Sequence, residues 1–113
     1  MRLYHWARCS TCRQARELLR ARHVDVEERD FFDERLRRDE LNDLVRQAGG
    51  VRPLVSTASP TFARQGRALE DYSDGELEAL VLSEPRLLRR PLLVTDDGRV
   101  LSGRKAIERE IGA

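Results

Sequence analysis

The sequence predicts an α/β fold that runs β-α-β, helical insertion, β-β-α on a mixed sheet. Three observations lead there. A short strand pattern opens the chain, a helix long enough for a parallel crossover follows it, and a strong hairpin signal precedes a closing helix. A length of 113 residues bounds the chain to one domain, residues 1–113, with a mainly helical insertion at about 35–86.

Each element has its own reason. Leu3-Tyr4-His5-Trp6 reads as the first strand. After Arg8-Cys9-Ser10-Thr11-Cys12, the positions Cys12, Ala15, Leu18 and Leu19 keep helical spacing, with Ser10 as the expected N-cap. Val24 to Arg29 is the expected second strand, Val24 and Val26 alternating with Asp25 and Glu27. In the insertion, Leu41, Leu44, Val45 and Ala48 mark a helix that Gly49-Gly50 stops. Val51 to Leu69 reads as irregular, with a short helix around Phe62 to Gln65. Ser73 and Glu76 form a capping box, Tyr72 and Leu77 a hydrophobic staple, and Pro85 ends that helix. Pro91 to Thr95 and Arg99 to Leu101 flank the turn Asp96-Asp97-Gly98, and a last helix holds Ala106, Ile107 and Ile111. With the insertion removed this is the order of the thioredoxin core, so the fold class is thioredoxin-like, with a mixed sheet.

Composition narrows the function. Hydrophobic residues make up 40% and charged residues 36%, which suits a globule with a heavily charged surface. The net charge of +1 gives no global bias toward nucleic acid or anionic membrane, so no direct nucleic-acid or membrane partner is expected. No apolar run approaches the ~20 residues of a membrane span. Met1 to Trp6 has no signal-like apolar stretch, so the expected compartment is the cytoplasm, where thiols are mostly reduced. Monomeric behaviour is expected, and no glycine-rich phosphate loop is present.

Cys9 and Cys12 carry the chemistry. A free thiol titrates at about 8.5, so a nucleophilic cysteine needs its pKa lowered. A cysteine just before a helix meets the positive end of the dipole and unpaired N–H groups, and Arg8 and Arg13 add positive charge. Cys12 falls about one turn on, in reach of the Cys9 sulfur, where it can resolve a mixed disulfide or sulfenic acid. The competing readings are two inert buried cysteines or half a zinc site. The other half of a zinc site is missing, since His5 and His23 lack paired spacing, and no metal is expected. His5 reads as a strand-face residue rather than a base, and His23 as a surface or capping group.

A second feature is Arg89-Arg90-Pro91, leading directly into the third strand. In thioredoxin-like folds a cis-proline before this strand lies against the active cysteine, which would carry Arg90 to the mouth of the site.

The segments YHWARCSTCRQAR (Tyr4 to Arg16), RDEL (Arg38 to Leu41) and PRLLRRPLLV (Pro85 to Val94) resemble the glutathione/glutaredoxin-dependent arsenate reductase (ArsC) family, which includes the Spx-type redox regulators. The resemblance implies that Cys9 is the nucleophile and that Arg90 helps bind an oxyanion. The expected substrate-binding set is Arg8, Ser10, Thr11, Arg13, Pro91 and Arg104, although Gly103 competes with Arg104 for the place of the family's third arginine. Two departures stand out. Ala58, or Ser56 in the alternative register, falls where the family commonly has an arginine, with Arg64 and Arg67 as the candidates to compensate, and each lost charge-assisted contact costs about 1.5–3 kcal/mol. Cys12 makes a CxxC more like the Spx-type regulators. The implied function is a thiol-disulfide oxidoreductase without bound cofactor, re-reduced by glutathione with glutaredoxin or by thioredoxin. The alternative is a redox-sensing regulator that binds the RNA polymerase alpha subunit.

Overall fold

The computed structural model describes residues 1–112. Its strands are β1 (Arg2–His5), β2 (Glu27–Asp30), β3 (Leu92–Val94) and β4 (Val100–Ser102), and its α-helices are α1 (Ser10–Ala21), α2 (Arg38–Ala48), α3 (Pro60–Ala63), α4 (Asp74–Ser83) and α5 (Arg104–Glu110). Short 3-10 turns occupy Arg52–Leu54, Leu69–Asp71 and Pro85–Leu87. The chain divides into two units, one made of residues 1–34 with 90–113 and the other of residues 35–89.

The first unit holds the whole sheet, in the order β2-β1-β3-β4. β1 and β2 run parallel from Arg2↔Glu27 to His5↔Asp30, whereas β3 is antiparallel to both β1 and β4. The sheet is therefore mixed, as the element order predicts. Leu3 and Leu93 pair across β1 and β3 and, with Ala15, Leu19 and Ile107, form a core with essentially no exposure. α1 and α5 pack together and cover that face. Gly98, at φ 83°, takes the left-handed position that the β3–β4 turn needs and that a glycine adopts without strain.

β2 begins at Glu27, three residues later than the valine alternation suggests. Val24 and Val26 lie in the approach to the strand, partly buried against the core, while the residues that pair are Glu-Glu-Arg-Asp. Pairing register, fixed where the Glu27 N–H donates to the Met1 carbonyl at 2.9 Å, overrides the hydrophobic pattern here.

The second unit is built on α2 and α4. Leu41, Val51, Val55, Phe62, Tyr72, Leu77, Val81 and Leu87 make its core. Both arms of the expected capping box are present: the Glu76 N–H donates to Ser73 Oγ at 3.1 Å, and the Ser73 N–H to Glu76 Oε1 at 2.9 Å. Gly49 closes α2 at φ 77°. The short helix expected around Phe62 to Gln65 starts earlier, at Pro60, because Ser59 caps it by accepting the Thr61 N–H at 3.1 Å and proline suits the first helical position.

Candidate active site

β1 delivers the chain to a tight turn in which the Cys9 N–H donates to the Trp6 carbonyl at 3.0 Å. α1 starts immediately afterwards, one residue earlier than the expected cap at Ser10. Cys9 is itself the N-cap, with extended φ −81°, ψ 123°, and Ser10 is the first helical residue. The reason is that the Cys9 carbonyl already accepts the first helical hydrogen bond, from the Arg13 N–H at 3.0 Å. This puts a sulfur where Ser, Thr, Asp or Asn usually sits, facing the unpaired amides of the first turn.

As a thiol Cys9 makes no capping hydrogen bond. As a thiolate it has donors waiting. Burial pushes its pKa up, but the backbone N–H and the thiol of Cys12, the charge of Arg90 and the backbone N–H of Thr11 outweigh burial, and the net direction is down. Cys12 behaves oppositely. It is fully buried, and burial together with the neighbouring Cys9 pushes its thiol up to about 12. Both cysteines are free thiols. One fold thus holds a half-exposed sulfur poised to ionise beside a buried sulfur that keeps its proton.

The Arg90–Pro91 peptide is cis, and Pro91 is buried, its carbonyl accepting the Gly103 N–H at 3.0 Å. The Arg90 guanidinium lies over two aromatic rings, with Cζ 5.6 Å from the centroid of Trp6 and 5.2 Å from that of Phe32. Those rings stack on each other at 4.3 Å and 14°. Asp30, at the end of β2, joins the pieces: its Oδ2 accepts the Ala7 N–H at 3.1 Å, and its Oδ1 accepts those of Phe32 and Asp33 at 2.9 and 3.1 Å. Burial pushes the Asp30 carboxyl up, but these three donors and His5 hold it below the usual carboxylate range.

Trp6, Phe32 and Asp30 were not among the expected site residues. A signal for Asp30 existed, because an Asp followed at once by a break in the strand pattern is the pattern of a side chain that caps its own turn. Nothing in the sequence pairs Trp6 with Phe32, since only the β1–β2 register brings them together.

The remaining expected residues are placed as follows. Arg8, Ser10, Thr11 and Arg13 are exposed around Cys9 in the turn and first turn of α1, and the positive charge acting on Cys9 is that of Arg90. Arg104 opens α5 and borders a hollow with Gln14, Glu17, Leu18 and Ala21 on the flank of α1. Gly103 holds φ 91°, which accounts for a glycine there. In the other unit, Ala58 is exposed in a turn, Arg64 donates to Thr61 Oγ1 at 3.2 Å, and Arg67 stacks on the Tyr72 ring at 4.0 Å while pairing with Glu76 at 3.4 Å. Both arginines are thus engaged locally.

His5 is a buried strand-face residue, 4% exposed. Its Nδ1 has no hydrogen-bond partner and its Nε2 lies 3.8 Å from Glu28 Oε1. Burial, with the charge of Arg16, lowers its pKa. Among the described residues, no group of three or more His, Cys, Asp and Glu side chains is placed to hold a metal ion, and no helix is long and apolar enough to cross a membrane.

Comparison with known proteins bears on this arrangement. A model of the ArsC family matches residues 4–110. The regulatory protein MgsR of Bacillus subtilis is 30% identical over 99 residues, covering 87% of this chain and 79% of that protein. The global transcriptional regulator Spx of Listeria innocua is 33% identical over 102 residues, covering 89% and 77%. Among solved structures, the arsenate reductase from Vibrio cholerae superposes with a TM-score of 0.81 over 96% of this chain and 97% of that one, at 24% identity, a likeness of fold.

Proposed function

The chain belongs to the ArsC family, and from that premise we propose that it is a thiol-disulfide redox protein in which Cys9 attacks and Cys12 resolves. The observation that carries this reading is the cap position of Cys9 with Cys12 one turn behind it, their acidities displaced in opposite directions. The Cys9 thiolate attacks one sulfur of an oxidised disulfide, forming a mixed disulfide and expelling a thiolate. Cys12 then attacks the Cys9 sulfur, closes the Cys9–Cys12 disulfide and expels the second thiolate, its own proton passing to a leaving sulfur. The substrate gains two electrons and the pair loses two. Capture of Cys9 in the mixed disulfide removes the negative charge that helps hold the Cys12 proton, so the first step favours the second.

Arg90 is the group that steadies a thiolate or an oxyanion at Cys9. Arsenate is a second proposed substrate: the Cys9 sulfur displaces one arsenate oxygen as water, and attack of Cys12 on that sulfur closes the disulfide and releases arsenite, the arsenic gaining the two electrons that the pair loses. Glutathione with glutaredoxin, or thioredoxin, is the proposed reductant that reopens the disulfide. The test is arsenate-dependent NADPH oxidation coupled through glutathione, glutaredoxin and glutathione reductase, with a parallel thioredoxin assay. Turnover that disappears in Cys9→Ser supports the reductase; turnover that survives in Cys9→Ser overturns the mechanism.

A second reading is favoured by the names of the relatives, a regulatory protein at 30% identity and a global transcriptional regulator at 33%. Under it the same dithiol is a sensor, and closing the disulfide changes binding to the RNA polymerase alpha subunit in the cytoplasm. Absence of turnover, with a readily formed Cys9–Cys12 disulfide and alpha-subunit binding that differs between oxidised and reduced protein, selects this reading.

A further inference from the structure

We infer that Trp6 and Phe32 are positioning residues: with Asp30 they form an aromatic cradle that holds the Arg90 guanidinium at the turn carrying Cys9. The inference rests on the thiol reading above and adds what sets the strength of its nucleophile. The geometry begins with the stack, two rings 4.3 Å apart and 14° from parallel, which presents a continuous π surface. Arg90 sits within 5.6 Å of both centroids, inside the range where a guanidinium is attracted by ring quadrupoles. Trp6 is also the residue whose carbonyl receives the Cys9 N–H, so the ring that holds the arginine and the backbone that holds the cysteine belong to one residue.

The stack is fixed from below by Asp30. One carboxylate accepts from Ala7, next to Trp6, and from Phe32 itself, so a single side chain sets the spacing between the two segments that bear the rings. Phe31, 1% exposed and 5.1 Å from Phe32, anchors the second segment in the core. An arginine on a flexible side chain spreads its charge over many rotamers, whereas one laid on rings keeps it at one place. Held there, Arg90 acts on Cys9 as a fixed charge, in keeping with its part in lowering the Cys9 pKa.

The experiment follows iodoacetamide alkylation of Cys9 against pH in the full reduced chain, read site by site by mass spectrometry, with circular dichroism as the check on folding. The expected result is a lowered Cys9 pKa in the unaltered protein. Trp6→Leu raises that pKa by about half a unit and slows labelling below it about threefold, the scale of one exposed cation–π contact. Trp6→Phe, which keeps a ring, restores most of the effect, and in an Arg90→Leu background Trp6→Leu changes nothing further. Phe32→Leu removes the other ring and supplies the same reading if Trp6→Leu does not fold. A Cys9 that titrates at the ordinary value in the unaltered chain overturns the thiol reading on which this rests. A lowered value that both ring deletions leave in place, or that they shift just as far without Arg90, overturns the cradle alone.

Discussion

At the scale of single residues, environment sets the two cysteines apart. With its pKa pushed up to about 12, Cys12 stays a thiol at pH 7. Brief alkylation of the native protein therefore labels Cys9 alone, and Cys12 reacts only once denaturant is added; mass spectrometry of the two peptides checks this. Serine is a better helix cap than cysteine, so Cys9→Ser removes the nucleophile without weakening the start of α1, and its melting temperature equals or exceeds that of the unaltered chain. Cys9, Cys12, Arg90 and Pro91 stand out in the sequence as candidates because each belongs to a short motif whose meaning depends on its neighbours in the chain. Trp6 and Phe32 do not stand out, because their stack arises where residues some 25 positions apart meet, and Asp30 shows in the sequence only as the cap of its own turn, not as the acceptor of the Ala7 N–H.

At the scale of elements, the helices announced themselves best. α2 combines an apolar face with a chemical stop at Gly49, and α4 an apolar run with a chemical start in the Ser73–Glu76 box. Ser73→Ala leaves the Glu76 N–H without its acceptor and destabilises the protein by about 0.5–2 kcal/mol, measurable as a lower urea midpoint with an unchanged slope. β2 departs from the valine pattern for a physical reason. An edge strand needs only backbone partners on one side, so its side chains are free to be polar, and the Val24/Val26 alternation beside it imitates a strand while serving the core from a connecting segment. α1 starts one residue before the expected cap because cysteine is not a usual cap residue, and Cys9 holds that position here.

At the scale of the whole molecule, the displaced acidities set the direction of pH sensitivity. His5 titrates below its ordinary value, so just below pH ~6.5 the unfolded chain binds a proton that the folded chain refuses. Its contribution is fully present above that pH and is lost as pH falls toward the folded value. Asp30 and Glu28, both held low, act in the same sense further down: their contribution is present above the ordinary carboxylate value and lost as pH falls through the folded one. Urea unfolding at pH 7, 6 and 5 should show stability falling at each step, with a smaller decline between 7 and 5 in His5→Phe; a flat profile would contradict the burial argument. The sheet has one more consequence, at its β2 edge. A second chain seeking to extend the sheet there meets Glu27, Glu28, Arg29 and Asp30 in succession, three of them acidic and several already tied to their own neighbours, as Arg2 is to Glu27 and Arg16 to Glu28. Two such edges brought together repel, so the least hydrophobic strand of the protein is also its guard against fibre growth when the chain is crowded or partly unfolded.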